Sequence, residues 1–426
     1  MQEFHFSPDE ESAQECDLQD SLGAFRDKFH IPIGKDGQPV IYFVGNSLGL
    51  MPKTTPAIVD QELKDWAELG VDAHLEGTTP WYSYHESVRA SAARIVGAQP
   101  TEVVCMNSLT VNLHLMMATF YRPTKSRWKI LMEDPAFPSD NYAVRSQIIH
   151  HGFAPNESLL LARAREGEAT VRTEEIEAIL EKQGDEIALV LLAGVNFFTG
   201  QFFDIAKITA LAQQRDCLVG IDLAHAAGNV PLSLHDWNVD FAVWCSYKYL
   251  NSGPGAVAGA FVHARHATNV DLPRLAGWWG NDPATRFRLQ LEPEFVPVRS
   301  ADAWAISNPP ILAMAPLRSS FAIFDEAGGM QPLRAKSIKL TSYLHYLLDQ
   351  IGSDRFTVIT PSSPDERGCQ LSILVHQHPK ELFAALEAAG VKCDFREPNV
   401  IRAAPTPLYN TFQEVWRFGQ ILSKHR

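Results

Sequence analysis

The chain of 426 residues carries 37 Lys+Arg against 50 Asp+Glu, a formal net charge of −13, with 46% hydrophobic and 20% charged residues. That balance is globular rather than disordered, and the length accommodates two domains. The acid excess argues against broad nucleic-acid or anionic-membrane binding, which needs concentrated positive charge. Small anionic substrates stay open, because one arginine in a pocket can hold a carboxylate inside an acidic protein.

The amino terminus, MQEFHFSPDEESAQECDLQD, is acidic and lacks the basic-then-apolar layout of a signal peptide. No apolar stretch approaches a bilayer span, and ALVLLAGV at 188–195 suits a buried strand. None of Cys16, Cys105, Cys217, Cys245, Cys369 and Cys393 are spaced C-x-x-C, and several sit in apolar runs. Reduced thiols in a soluble cytoplasmic protein are therefore expected, and the NES triplet at 156–158 reads as a chance sequon.

Residues 1–63 are turn-rich and are expected to pack on a small domain or wrap a partner subunit. From 101 to 263 short apolar runs alternate with helical patterns: EVVCM then VNLHLMMATFY, WKILME then DNYAVRSQIIHHG, IALVLLAGV then DIAKITALAQQRD, followed by CLVGIDL, FAVWCS and AGAFVH. This rhythm implies an α/β fold, a mainly parallel sheet flanked by helices, assigned to a large domain over 64–315. Ligands of such sheets gather beyond the carboxyl ends of the strands. After about 316 the rhythm changes to a long helix over 332–351, the strands RFTVIT and CQLSILVH, and a helix PKELFAALEAAG with Pro379 near its start and Gly390 at its end. That pattern suggests a smaller α+β domain over 316–426.

The apolar run DFAVWC leads directly to Tyr247 and Lys248, an unusual place for an ammonium. A snorkelling surface lysine, a phosphate-binding lysine and a Schiff-base lysine all fit that run alone. VGIDLAHAAG puts Asp222 at the end of the preceding strand, with His225 three residues later. By itself Asp222 reads more readily as a helix cap. Together with Lys248, it places opposite charges at one sheet edge, as pyridoxal phosphate requires: a lysine for the aldehyde and a carboxylate for the pyridine nitrogen. CMNSLTVNLHL supplies a polar turn at Asn107 and Ser108 and a helix opening near Leu109 and Thr110, either a phosphate cup or an ordinary cap. DPAFPSD at 134–140 opens another helix, and its Phe137 either stacks on a flat ring or simply packs. GPGAVAG matches no nucleotide loop and no G-x-S-x-G elbow occurs. His150, His151, His376 and His378 lack a ligand set, so no metal is expected.

Over nearly its whole length the chain resembles kynureninase of the eukaryotic type, a pyridoxal-phosphate hydrolase of the aspartate-aminotransferase fold (fold type I). The blocks that carry the likeness are FVGNSLGL, NSLTVNLHLMM, AFPSDNYA, NFFTGQ, GIDLAHAAGNVPLSLHDW, WCSYKYLNSGPGA, ISNPPI and IRAAPTPLYNT. The resemblance implies Lys248 as the Schiff-base lysine, Asp222 as the partner of the ring nitrogen, and His225 beside the cofactor. It implies stacking by Phe137, with Pro138, Ser139 and Asp140 nearby. Leu109, Thr110 and Tyr247 would hold the phosphate, helped by Trp278 and Asn308 from the same or the other subunit of a homodimer. Arg402 would grip the substrate's α-carboxylate, while His74 and Asn308 would surround its aromatic ring. Where many members carry Ser or Thr shortly before TGQ, this chain has Ala193.

The implied reaction is hydrolysis of L-kynurenine or 3-hydroxy-L-kynurenine to anthranilate or its 3-hydroxy form and L-alanine, in tryptophan catabolism and NAD biosynthesis. Lys248 would remove the Cα proton, and Tyr247 would relay a proton or only hold phosphate. Two rivals share these residues: a desulfurase or aminotransferase on the same scaffold, and a non-catalytic descendant. A desulfurase would need a cysteine in a mobile glycine-rich loop, which is not evident. The complete lysine, aspartate and arginine set disfavours the descendant.

Overall fold

The computed structural model describes residues 5–291 and 293–424, so residues 1–4 of the acidic amino terminus lie outside it. Seven short apolar runs form one sheet: β1 (Val103–Cys105), β2 (Lys129–Asp134), β3 (Leu159–Arg163), β4 (Ile187–Ala193), β5 (Leu218–Asp222), β6 (Phe241–Trp244) and β7 (Gly259–Val262). Their order is β1-β7-β6-β5-β4-β2-β3. From β6 to β3 every pairing is parallel, whereas β7 pairs antiparallel with both β6 and β1. The mainly parallel α/β sheet expected from the alternation of runs is present.

A parallel sheet is covered on both faces, and its strands are accordingly apolar at almost every position. Successive side chains point to opposite faces. Ile130, Met132, Leu189, Leu191, Phe241 and Val243 thus join one core, and Leu131, Val190, Leu192, Ala242 and Trp244 join the other. Two helices cross over from this sheet beside its carboxyl edge: α1 (Leu109–Phe120) follows β1, and α2 (Pro138–His150) follows β2.

A third core lies under the carboxy-terminal segments. It involves α3 (Met330–Ile351), β8 (Phe356–Val358), β9 (Leu371–Val375), α4 (Pro379–Ala388), β10 (Asp394–Arg396), β11 (Val400–Ala403) and α5 (Phe412–Lys424). The four strands form an antiparallel sheet in the order β10-β11-β9-β8. α3 begins two residues before Pro332, which sits in the first turn, where a missing N–H costs nothing. α5 turns Phe412, Val415, Phe418 and Leu422 inward at the spacing of an amphipathic helix. Ala13, Ile41 and Phe43, from the opposite end of the chain, complete that core. Asp17 caps α5, accepting the Phe412 N–H (2.7 Å) and the Gln413 N–H (3.0 Å). Among the described residues no helix is long and apolar enough to cross a membrane.

Candidate active site

Every parallel strand delivers its last residues to the same edge, so the polar residues that follow the strands meet there. One cleft at this edge is lined by Leu109, Thr110, Phe137, Ser139, Asp140, Ala193, Val195, Phe197, Asp222, Ala224, His225, Tyr247 and Lys248. β6 is buried throughout and the chain continues through buried Cys245 and Ser246, whereas Tyr247 and Lys248 emerge half-buried. The strand therefore anchors the lysine stem while the ammonium faces the cleft. Lys248 Nζ lies 3.1 Å from His225 Nε2 and 5.8 Å from the centre of the Phe137 ring. The loop after the lysine is backed by Gly49 of FVGNSLGL, whose N–H donates to the Tyr247 carbonyl (2.8 Å). A Cβ on Gly49 would stand 2.4 Å from the Lys248 carbonyl oxygen, so only glycine permits this approach.

Asp222, at the end of β5, does not open a helix. Its Oδ1 accepts the Ala224 N–H at 2.6 Å, closing a tight turn, and its carboxyl shares a hydrogen bond with Asp140 of α2. Burial pushes both carboxyls up, and the charge of Asp222 raises Asp140 further, whereas the Asp140 hydrogen bond, the Ala224 N–H and Lys248 favour the ionised form of Asp222. The shared proton therefore sits on Asp140 and the negative charge on Asp222. His225 is buried, and burial followed by the adjacent Lys248 holds it well below the usual imidazole range. It is a neutral acceptor for the lysine, with its Nδ1 unpartnered.

The phosphate-cup candidates also converge. Neither α1 nor α2 has a side-chain cap at its start, so their first N–H groups are available to an anion. Thr110 and Ser139, one on each helix, bring their hydroxyls within 3.2 Å of each other. Pro138 is the first residue of α2, and the Phe137 ring before it is 40% exposed at the cleft. Burial pushes the Tyr247 hydroxyl up to about 12, so it stays a proton donor at neutral pH.

Other candidates lie elsewhere. Arg402 is 1% exposed on β11 and does not line the cleft. It pairs with Asp394 and donates to the carbonyl of Phe197, a residue of the cleft wall. His74, Trp278 and Asn308 line a second cavity of about 420 Å³ with Trp81, Tyr82 and Phe287. Within one chain they do not join Lys248. The Ala193 methyl lines the cleft without offering a hydrogen bond, and its N–H donates to Glu133 Oε2 (3.2 Å).

Sequence reasoning did not single out Glu133, Phe197 or Asp394. Glu133 is fully buried on β2, where burial, opposed only in part by two backbone N–H groups, pushes its carboxyl up to about 7. A charged residue inside the apolar run KILME was the available signal. For Asp394 the signal was the D-x-R…R spacing around a turn at 397–399. One histidine cluster, Glu102 with His235 and His263, brings donor atoms within 4.8 Å of one another. Hydrogen bonds account for it: Glu102 Oε1 accepts the Ala264 N–H (2.7 Å) and lies 2.9 Å from His235 Nδ1, while His263 Nδ1 accepts the Arg265 N–H.

Residues 333–422 match the family model described as the kynureninase C-terminal domain. A protein of Myxococcus xanthus named kynureninase is 54% identical over 422 residues, covering 99% of this chain and 98% of its own. Kynureninases of Koribacter versatilis and Flavobacterium johnsoniae are 54% and 50% identical, each over at least 97% of both chains. Among solved structures, a C-DES mutant with glycine covalently linked to its PLP cofactor superposes with a TM-score of 0.77 at 16% identity, covering 91% of this chain and 97% of that one. An apo cysteine desulfurase of Thermococcus onnurineus gives 0.71 at 17%, covering 90% and 94%. At such identities the two structures speak for the fold alone.

Proposed function

The chain belongs to the kynureninase family, and from that premise we propose how its residues carry the reaction. It is a pyridoxal-phosphate-dependent hydrolase: water adds across the Cβ–Cγ bond of L-kynurenine or its 3-hydroxy form, releasing L-alanine and the corresponding anthranilate. The cleft residues fit the cofactor. A lysine, an ionised carboxylate, two uncapped helix starts and an unpartnered buried histidine nitrogen are what its aldehyde, ring nitrogen, phosphate and ring substituents would engage. When bound, the cofactor supplies an electron-poor ring that accepts negative charge from the substrate carbons.

Lys248 would hold the cofactor and, as a free amine, would move the proton at the substrate's Cα. Asp222 keeps a proton on the ring nitrogen, and Asp140, being protonated, supports it without adding a second charge. Leu109, Thr110, Pro138 and Ser139 would form the phosphate cup, Phe137 would cover the ring, and His225, whose Nε2 accepts from Lys248, would donate its Nδ1–H beside it. Tyr247, protonated at neutral pH, donates at the leaving carbon or to the phosphate. Arg402 binds the α-carboxylate. Trp278, Asn308 and His74 act from the partner subunit of a homodimer, where the second cavity would receive the aromatic ring. The exposure of Val71 (78%), Leu75 (70%) and Phe287 (70%) around that cavity supports burial by a second copy. The segments 1–63, 64–315 and 316–426 are proposed as the amino-terminal arm, cofactor domain and small domain, with the protein in the cytoplasm, where its six unpaired thiols would persist.

The observation that carries these roles is the meeting of Lys248 and the Asp222–Asp140 pair in one cleft between two helix starts. The test is alanine release from L-kynurenine and 3-hydroxy-L-kynurenine, offered separately to cofactor-loaded protein. Release from either supports the assignment, and the faster one reports what His74 and Asn308 select. Cofactor absorbance without alanine from either would overturn it.

A further inference from the structure

Asp394 and Arg402 stand directly opposite each other on the antiparallel strands β10 and β11, so their side chains share one face. Arg402 points its Nε and one terminal nitrogen at the same oxygen, Asp394 Oδ2. Its other terminal nitrogen donates to the Phe197 carbonyl, across the boundary between the two sheets. A guanidinium has five N–H donors, so with three engaged two remain, one on each terminal nitrogen. That is the complement of a carboxylate in a bidentate pair. Arg396 shares the load, its Nε lying 2.9 Å from the same Asp394 oxygen. One carboxylate between two guanidiniums leaves a net charge of +1, which a single further carboxylate neutralises.

We propose that Asp394 is the positioning residue of the substrate's α-carboxylate site. It fixes the Nε edge of Arg402 and so leaves the two remaining donors to the substrate's carboxylate, and Arg396 returns the positive charge that Asp394 cancels. The cluster selects an amino-acid substrate with one carboxylate at this end. This rests on the reading of Arg402 as the carboxylate anchor. Burial fits the division of labour: the Arg402 side chain is 1% exposed, Asp394 22% and Arg396 39%.

The test compares Asp394→Asn, Asp394→Glu, Arg402→Gln and the Asn/Gln double variant as cofactor-loaded enzymes. Steady-state kinetics with L-kynurenine would be joined by calorimetric titration with the product L-alanine, and by melting curves. Asp394→Asn should raise KM and weaken L-alanine binding about tenfold with kcat changed less than about threefold, the signature of lost positioning rather than lost chemistry. Asp394→Glu, which keeps the charge, should raise KM only about threefold. In the Arg402→Gln background the Asn substitution should add less than about twofold, because its effect passes through Arg402. An unchanged KM in Asp394→Asn overturns the proposal, as does the full loss persisting without Arg402. If the Asn protein does not fold, an unchanged KM in Asp394→Glu overturns it. An unchanged KM in Arg402→Gln instead removes Arg402 as the anchor, a separate failure.

Discussion

Replacing Asp222 with asparagine should cut kcat by about three orders of magnitude while leaving the fold nearly intact. The asparagine retains an acceptor for the Ala224 N–H, now bonded at 2.6 Å, so the local turn survives at a cost of about 1 kcal/mol or less. What it loses is the charge. Two opposite unit charges about 4 Å apart at an effective dielectric near 20 interact by about 4 kcal/mol, which corresponds to about 10³ in rate. Asp140 complicates the outcome in a defined way. It holds the shared proton because ionised Asp222 sits beside it, so in the Asp222→Asn variant that pressure is gone and Asp140 is freer to ionise. The double variant Asp140→Asn/Asp222→Asn closes this route and should be at least as impaired. The assay is alanine release at saturating cofactor, with melting temperature as the control for folding. A kcat within about tenfold of the parent in both the single and the double variant would refute the charge argument and return Asp222 to a purely structural role.

Lys248→Ala should fold, since its ammonium faces the cleft rather than the core, but should lack the visible absorbance of a lysine-bound cofactor; a normal spectrum would remove it from its assigned role. Gly49→Ala would set a Cβ 2.4 Å from the Lys248 carbonyl oxygen and 2.3 Å from Asn251 Oδ1, so cofactor occupancy after dialysis should fall well below that of the parent. Equal occupancy would show that the loop can yield without consequence. Glu133→Gln tests a pH dependence. The Glu133 carboxyl titrates at about 7 in the fold against 4.5 ordinarily, so the folded protein holds a proton that the unfolded chain releases within that window. Stability then falls as pH rises from 4.5 to 7, by about 3 kcal/mol in all. The glutamine variant cannot titrate, so its melting temperature should gain on the parent between about pH 5 and pH 8; parallel curves would contradict the assignment.

Much of this protein was legible in the chain itself, for a local reason. Strands announce themselves as short apolar runs, and a parallel sheet sends whatever follows each run to the same edge. Lys248 after β6, Asp222 after β5, Phe137 after β2 and the helix start at Leu109 after β1 could therefore be gathered into one cleft by position alone. The α/β class and the bounds of α4, with Pro379 at its start, follow from the same local chemistry. Residue pairings were not legible in this way. Asp140 and Asp222 come from different crossovers and meet only because β2, β4 and β5 are successive neighbours in the sheet. Arg402 meets Asp394 only through the hairpin register of β10 and β11, and a slip of one residue would turn the two to opposite faces. His74, Trp278 and Asn308 lie in segments far apart in the chain, and packing put them in a cavity separate from Lys248. Propensity and the succession of strands and helices along the chain are written residue by residue, whereas the order of strands in the sheet, and which charged groups share a proton or a partner, are set by distances that exist only after the sheets have assembled.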